Sequence, residues 1–89
     1  MRLHAVVWGR VQGVGFRWFV REAAARLDLA GSVRNAPDGS VIVEAEGSDE
    51  AIAELKRELA RGPRGAHVER LQEQPPTDAP LQRPFTIVR

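Results

Sequence analysis

The sequence has no cysteine and no tyrosine, and a single methionine, among its 89 residues. Without cysteine there are no disulfides, no thiolate metal sites and no cysteine nucleophile, so a phosphocysteine intermediate is excluded. A surplus of either charge is also missing. Thirteen basic and twelve acidic side chains leave +1, far from the basic excess of a dedicated nucleic-acid binder. No apolar run approaches the ~18–20 residues of a membrane span, and the start Met1-Arg2-Leu3-His4 lacks the core of a signal peptide. Cytoplasmic residence is the simplest expectation. Internal repeats, low-complexity tracts and interdomain linkers are absent too. What is present is an ordinary globular composition, in a length that supports one small domain over residues 1–89. Folding of a chain this size hides about 60–65% of its unfolded surface, enough for a core with little to spare. All the basic residues but Lys56 are arginines, whose forked donors suit phosphate or carboxylate.

Leu3 to Trp8 is apolar on both faces, with Leu3, Ala5 and Val7 opposed to Val6 and Trp8, and predicts an interior strand. Gly9, Gly13 and Gly15 then fall within seven residues and predict a tight loop. From Phe16 the positions Phe16, Phe19, Val20, Ala23, Ala24 and Leu27 recur at three and four, one face of a helix. That helix is expected to reach Leu29 or Ala30, with Gly31 as its stop signal. Ser32 to Asn35 reads as a short second strand ended by the turn Ala36-Pro37-Asp38-Gly39. Ser40 to Glu46 sets Val41, Val43 and Ala45 against Glu44 and Glu46, with Ile42 out of pattern, and predicts a half-buried strand. Ser48 as N-cap, Asp49 and Glu50 at the positive end, and the stripe Ile52, Leu55, Leu59 define a second helix, which Gly62-Pro63 ends. A fourth strand is expected within Ala66–Gln74. A proline-bearing loop and a short strand over Phe85–Val88 follow it.

The order β-α-β-β-α-β is that of a ferredoxin-like sandwich, an α+β fold with a mainly antiparallel sheet and two helices on one face. In that topology strands one and two are parallel with strand three between them, so their C-terminal ends lie roughly 10 Å apart at one sheet edge. The glycine-rich loop and Asn35 therefore meet. A glycine-rich turn opening into a helix gathers free N–H groups at the positive end of the helix dipole, an anion site best suited to phosphate. The glycine spacing matches neither the dinucleotide fingerprint nor the P-loop, which needs Lys and then Ser or Thr after its second Gly. Arg17 falls in the first helical turn, where a cation is unfavourable by about 0.3–1 kcal/mol, and a cradled oxyanion would compensate it. Taken alone, an arginine is more commonly an exposed surface residue, and Asn35 a strand end entering a turn. Asn35 shares the parity of Val33, however, and an inward amide must find partners or cost about 1–3 kcal/mol.

The segment Gly9-Arg10-Val11-Gln12-Gly13-Val14-Gly15-Phe16-Arg17, followed by Gly31-Ser32-Val33-Arg34-Asn35 and Asp38-Gly39-Ser40-Val41, resembles the acylphosphatase family. Gly62-Pro63 and the terminal Phe85-Thr86-Ile87 are similar to it as well, so the resemblance spans nearly the whole chain. The resemblance implies hydrolysis of the carboxyl–phosphate bond of acyl phosphates to a carboxylate and inorganic phosphate, with no metal and no cofactor. By matching positions it implies that Arg17 binds the phosphoryl group and that Asn35 orients the attacking water. The backbone of Val11, Gln12, Gly13, Val14, Gly15 and Phe16 would cradle the phosphate. Its implied partner is a small acyl phosphate; the charge balance and the short apolar runs lead us to expect no nucleic-acid and no membrane partner, and a monomer is expected. The close on Val88-Arg89, where many relatives carry Arg and then an aromatic, is expected to touch stability and not the site.

Simple chemistry agrees with that implication. Phosphoryl transfer asks mainly for positioning and charge stabilisation. A carboxylate whose acid titrates near ~4 leaves without a general acid. A carboxamide can accept a hydrogen bond from water while its NH₂ contacts a phosphate oxygen.

The remaining polar residues have plainer readings. His4 and His67 are isolated imidazoles, Asp38 forms a turn, and Glu44 and Glu46 solubilise a strand face. Trp8 and Trp18 are expected as core or half-buried anchors, and Arg10 has no assigned role. Two other functions compete. A regulatory or RNA-binding module can use this fold, although three Phe and no Tyr make a poor RNA platform. An acylphosphatase-like unit of a larger carbamoyl-transfer protein is the other, against which the chain length counts.

Overall fold

A computed structural model describes all residues, Met1–Arg89. The apolar alternations and periodicities lay down β1 (Arg2–Arg10), α1 (Phe16–Arg26), β2 (Ala30–Asn35), β3 (Val41–Glu46), α2 (Asp49–Arg61), β4 (His67–Gln74) and β5 (Thr86–Val88). The strands form one sheet in the order β4-β1-β3-β2-β5. All neighbours are antiparallel except β2 and β5, which run parallel. This is the expected ferredoxin-like α+β arrangement, with β1 inside the sheet as its two apolar faces require.

One face of the sheet carries the core. Leu3 pairs with Ala45, Ala5 with Val43 and Val7 with Val41, and Val33 of β2 sits beside Val43. Onto these α1 lowers Phe16, Val20, Ala23 and Ala24, and α2 lowers Ile52, Leu55 and Leu59, making a single cluster of 18 buried residues. The opposite face explains Ile42. It stands across from Val6, both half-buried beside Trp8, whose ring is covered by the Arg70 guanidinium at 4.0 Å. Between the helices, Glu58 of α2 is held by Arg26 of α1 at 3.1 Å and by Arg61 at 2.6 Å.

Three boundaries differ from expectation. α1 stops at Arg26, not at Leu29 or Ala30, because Asp28 turns left-handed (φ 57°) and Leu29 N–H folds back to the Ala24 carbonyl at 2.9 Å. That reversal lets Leu29 enter the core. Gly31 is not a helix stop. It lies inside β2 at φ 136°, where a Cβ would stand 1.9 Å from the Glu44 carbonyl oxygen of β3, so close strand approach requires glycine. β1 runs on to Arg10 because a bulge at Trp8/Gly9 shifts its register and keeps it paired with β4 as far as His67. The loop before α1 is therefore only Val11–Gly15.

Candidate functional site

Val11 is buried and anchors the loop, and Val14 packs against the core from the other end. Between and after them Gly13 and Gly15 adopt φ 76° and 78°, with open space where a side chain would be. Their requirement is conformational, since few other residues hold the left-handed region. Gly15 precedes the first turn of α1, which has no side-chain cap and no acidic residue. No main-chain N–H from Val11 to Trp18 donates to a protein oxygen. These are the orphan donors of a helix start, and they add to the positive end of its dipole.

Arg17 lies in that turn, half-buried, in no ion pair and no hydrogen bond with the protein. Arg2, Arg21, Arg26, Arg57, Arg61 and Arg83 have carboxylate partners, while Arg10, Arg34, Arg64, Arg70 and Arg89 are, like Arg17, in no ion pair. Asn35 ends β2 with the parity of the fully buried Val33. Its Oδ1 is buried without any hydrogen-bond partner, a condition that costs about 1–3 kcal/mol unless a ligand relieves it.

Arg17 and Asn35 open onto one cavity of ≈ 210 Å³ that Val11, Gly13, Gly15 and Phe16 also line. The topology expected from the element order thus joins the loop and the strand end. Gln12 and Val14, the other two residues of the expected cradle, turn their side chains away. Val14 goes to the core, and Gln12 Nε2 donates to the carbonyls of Ala36 and Ser40, each at 2.9 Å.

Sequence reasoning missed three lining residues: Trp18, Ile87 and Arg89. Trp18 is not a buried anchor; it is 56% exposed, with the Arg21 guanidinium 4.0 Å over its ring. The chain end was expected to stay clear of the site. Instead β5 lies parallel beside β2, pairing Ser32 with Thr86 and Arg34 with Val88, and so carries Ile87 and Arg89 to the cavity. The signal lies in the shared parity of buried Phe85 and half-buried Ile87, once β5 is placed next to β2.

Asp38, the two histidines and the strand-face glutamates have the plain structural places expected of them. Asp38 accepts hydrogen bonds from the Ser40 hydroxyl and main chain, in that order of effect, which hold its carboxyl below the ordinary range. His67 is exposed, and His4 Nδ1 lies 3.3 Å from the Pro75 carbonyl. Glu44 and Glu46 project from the sheet face opposite the core.

An unpaired cation, uncommitted main-chain N–H groups and a buried carboxamide thus stand around one small cavity of a ferredoxin-like fold. The chemistry such a set can do is to grip an oxyanion and steer a water molecule. The acylphosphatase family model matches residues 3–87. The acylphosphatase of Nitratidesulfovibrio vulgaris is 47% identical over 88 residues, covering 97% of this chain and 87% of that protein. That of Pseudomonas aeruginosa is 58% identical over 66 residues, 74% of this chain and 72% of its own. The crystal structure of acylphosphatase from Bacillus subtilis matches with a TM-score of 0.84 at 34% identity, over 99% of this chain and 98% of that one. The chain belongs to the acylphosphatase family: it is a hydrolase of the carboxyl–phosphate bond of small acyl phosphates.

Proposed function

We propose that the cavity between the Val11–Gly15 loop and Asn35 is the active site, with Arg17 and Asn35 as its catalytic residues. The observation that carries this reading is the buried, unpartnered Asn35 Oδ1 on the same cavity as the unpaired Arg17. The phosphoryl oxygens accept hydrogen bonds from the loop N–H groups of Val11 to Phe16 and from the Arg17 fork. Asn35 Oδ1 accepts a hydrogen bond from water while its NH₂ donates to a phosphoryl oxygen. Water attacks phosphorus, the bond from phosphorus to the acyl oxygen breaks, and the carboxylate leaves with the electron pair. The proton of the water passes to a phosphate oxygen. No step needs a metal, because the leaving group is stable as an anion and the charge on phosphorus is met by amides and guanidinium.

The assay is phosphate release from acetyl phosphate in chelator, with a phosphate monoester as control. Turnover of the first and not the second is expected. Arg17→Ala and Asn35→Ala are each expected to lower kcat about a hundredfold to a thousandfold, as loss of a donor aimed at transition-state charge does. Arg17→Lys should also fail substantially, since an ammonium cannot reproduce the fork. A folded Ala variant working at the parent rate overturns the assignment.

We also propose one domain over residues 1–89, monomeric and cytoplasmic, with no nucleic-acid partner. The single core cluster and the near-neutral charge support this, and sedimentation tests the oligomeric state.

A further inference from the structure

Of the two catalytic residues proposed above, Arg17 stands on α1, behind the loop that leaves β1, and Asn35 ends β2, which β3 separates from β1 in the sheet. α1 itself packs on β2, whereas the Val11–Gly15 loop and the β2–β3 hairpin that carries Asn35 leave different strands. One side chain hydrogen-bonds the loop to the hairpin. Gln12 Nε2, on the second residue of the loop, donates at 2.9 Å to the Ala36 carbonyl and at 2.9 Å to the Ser40 carbonyl. These carbonyls belong to the residues that close the hairpin, where Ala36 N–H donates to Ser40 at 2.8 Å and Gly39 N–H to Ala36 at 3.1 Å. Ala36 follows Asn35 directly. The bonds are part-buried, and their donor comes from a residue whose neighbour Gly13 lines the cavity.

We infer that Gln12 is a positioning residue: its carboxamide clamps the phosphate loop to the Asn35 hairpin and sets the distance between the bound phosphoryl group and the water that Asn35 aims. Geometry explains why glutamine serves. A single NH₂ carries two donors at a fixed angle, which is what two carbonyls across a narrow hairpin end require. The effect on rate is indirect, because misplacing a reacting group by about 1 Å can cost on the order of a hundredfold.

The inference rests on the assignment of Asn35, and a double-mutant cycle separates the two. Gln12→Met keeps the length and removes both donors. It is expected to lower kcat at least ~10-fold, with the inhibition constant of inorganic phosphate changing much less, because the cradle amides and Arg17 remain. In an Asn35→Ala background the same substitution should have little further effect on kcat, since the group it positions is gone. A second variant, Gln12→Glu, keeps the shape but sets a carboxylate against two carbonyl oxygens. Its kcat relative to the parent should rise as pH falls, because the protonated acid regains one donor, whereas the Gln12→Met ratio stays flat. An unchanged kcat in Gln12→Met, or an equal loss with and without Asn35, overturns the clamp. A parent-rate Asn35→Ala overturns the assignment beneath it instead.

Discussion

The two helices of this protein begin in opposite ways. α2 starts with Ser48, whose hydroxyl accepts the Ala51 N–H at 3.1 Å, and follows it with Asp49 and Glu50. α1 starts with a left-handed Gly15, has no cap and no acid, and places a cation, Arg17, in its first turn. Both helices face the same physical problem of four orphan N–H groups and a positive dipole end. α2 solves it internally and gains stability from the solution. α1 leaves it unsolved, and the unsolved end opens onto the cavity with Asn35. The difference in capping is what the proposed anion site at the start of α1 would use.

The sharpest way to test the contrast is to supply the anion. Inorganic phosphate at about 100 times its dissociation constant should stabilise the fold by about 2.7 kcal/mol, which for a domain of this size is roughly 10–20 °C in Tm. Arg17→Ala should lose most of that shift, measured by thermal unfolding with and without phosphate. If phosphate stabilises both forms equally, it binds elsewhere and the contrast between the helix starts has no functional meaning. The converse substitution touches α2. Ser48→Ala should cost about 1 kcal/mol in chemical denaturation, within the ~0.5–2 kcal/mol range of lost caps, while kcat and the phosphate-induced stabilisation stay at parent values.

The α2 start could be read directly from Ser48-Asp49-Glu50, because capping is local chemistry. The α1 start was legible as a glycine-rich opening, and the element order was enough to bring Asn35 beside it. Other features depended on contacts between distant segments. Gly31 has the look of a helix stop, and only the approach of the Glu44 carbonyl shows that it serves close contact between the paired strands β2 and β3. Ile87 and Arg89 reach the cavity because β5 chooses β2 as its parallel neighbour, a pairing that a three-residue strand does not announce. The direction of the Gln12 side chain was likewise hidden, since its partners are main-chain carbonyls with no identity in the sequence.

The smallest expected effect bears on the helix dipole itself. Arg17 is a half-buried cation that no carboxylate of the protein pairs, at the positive end of α1. Asp49 is an anion at the positive end of α2. Neutralising each with a near-isosteric or similarly helix-compatible amide should therefore change stability in opposite directions. Arg17→Gln should gain about 0.3–1 kcal/mol without phosphate, and Asp49→Asn should lose a similar amount. Both differences should shrink as salt is raised toward 1 M, where screening falls to ~3 Å. Arg17→Gln should meanwhile lose activity on the scale of Arg17→Ala, so the more stable protein is the inactive one. Equal signs for the two substitutions at low salt would mean that local packing, and not the uncompensated charge, distinguishes the two helix starts.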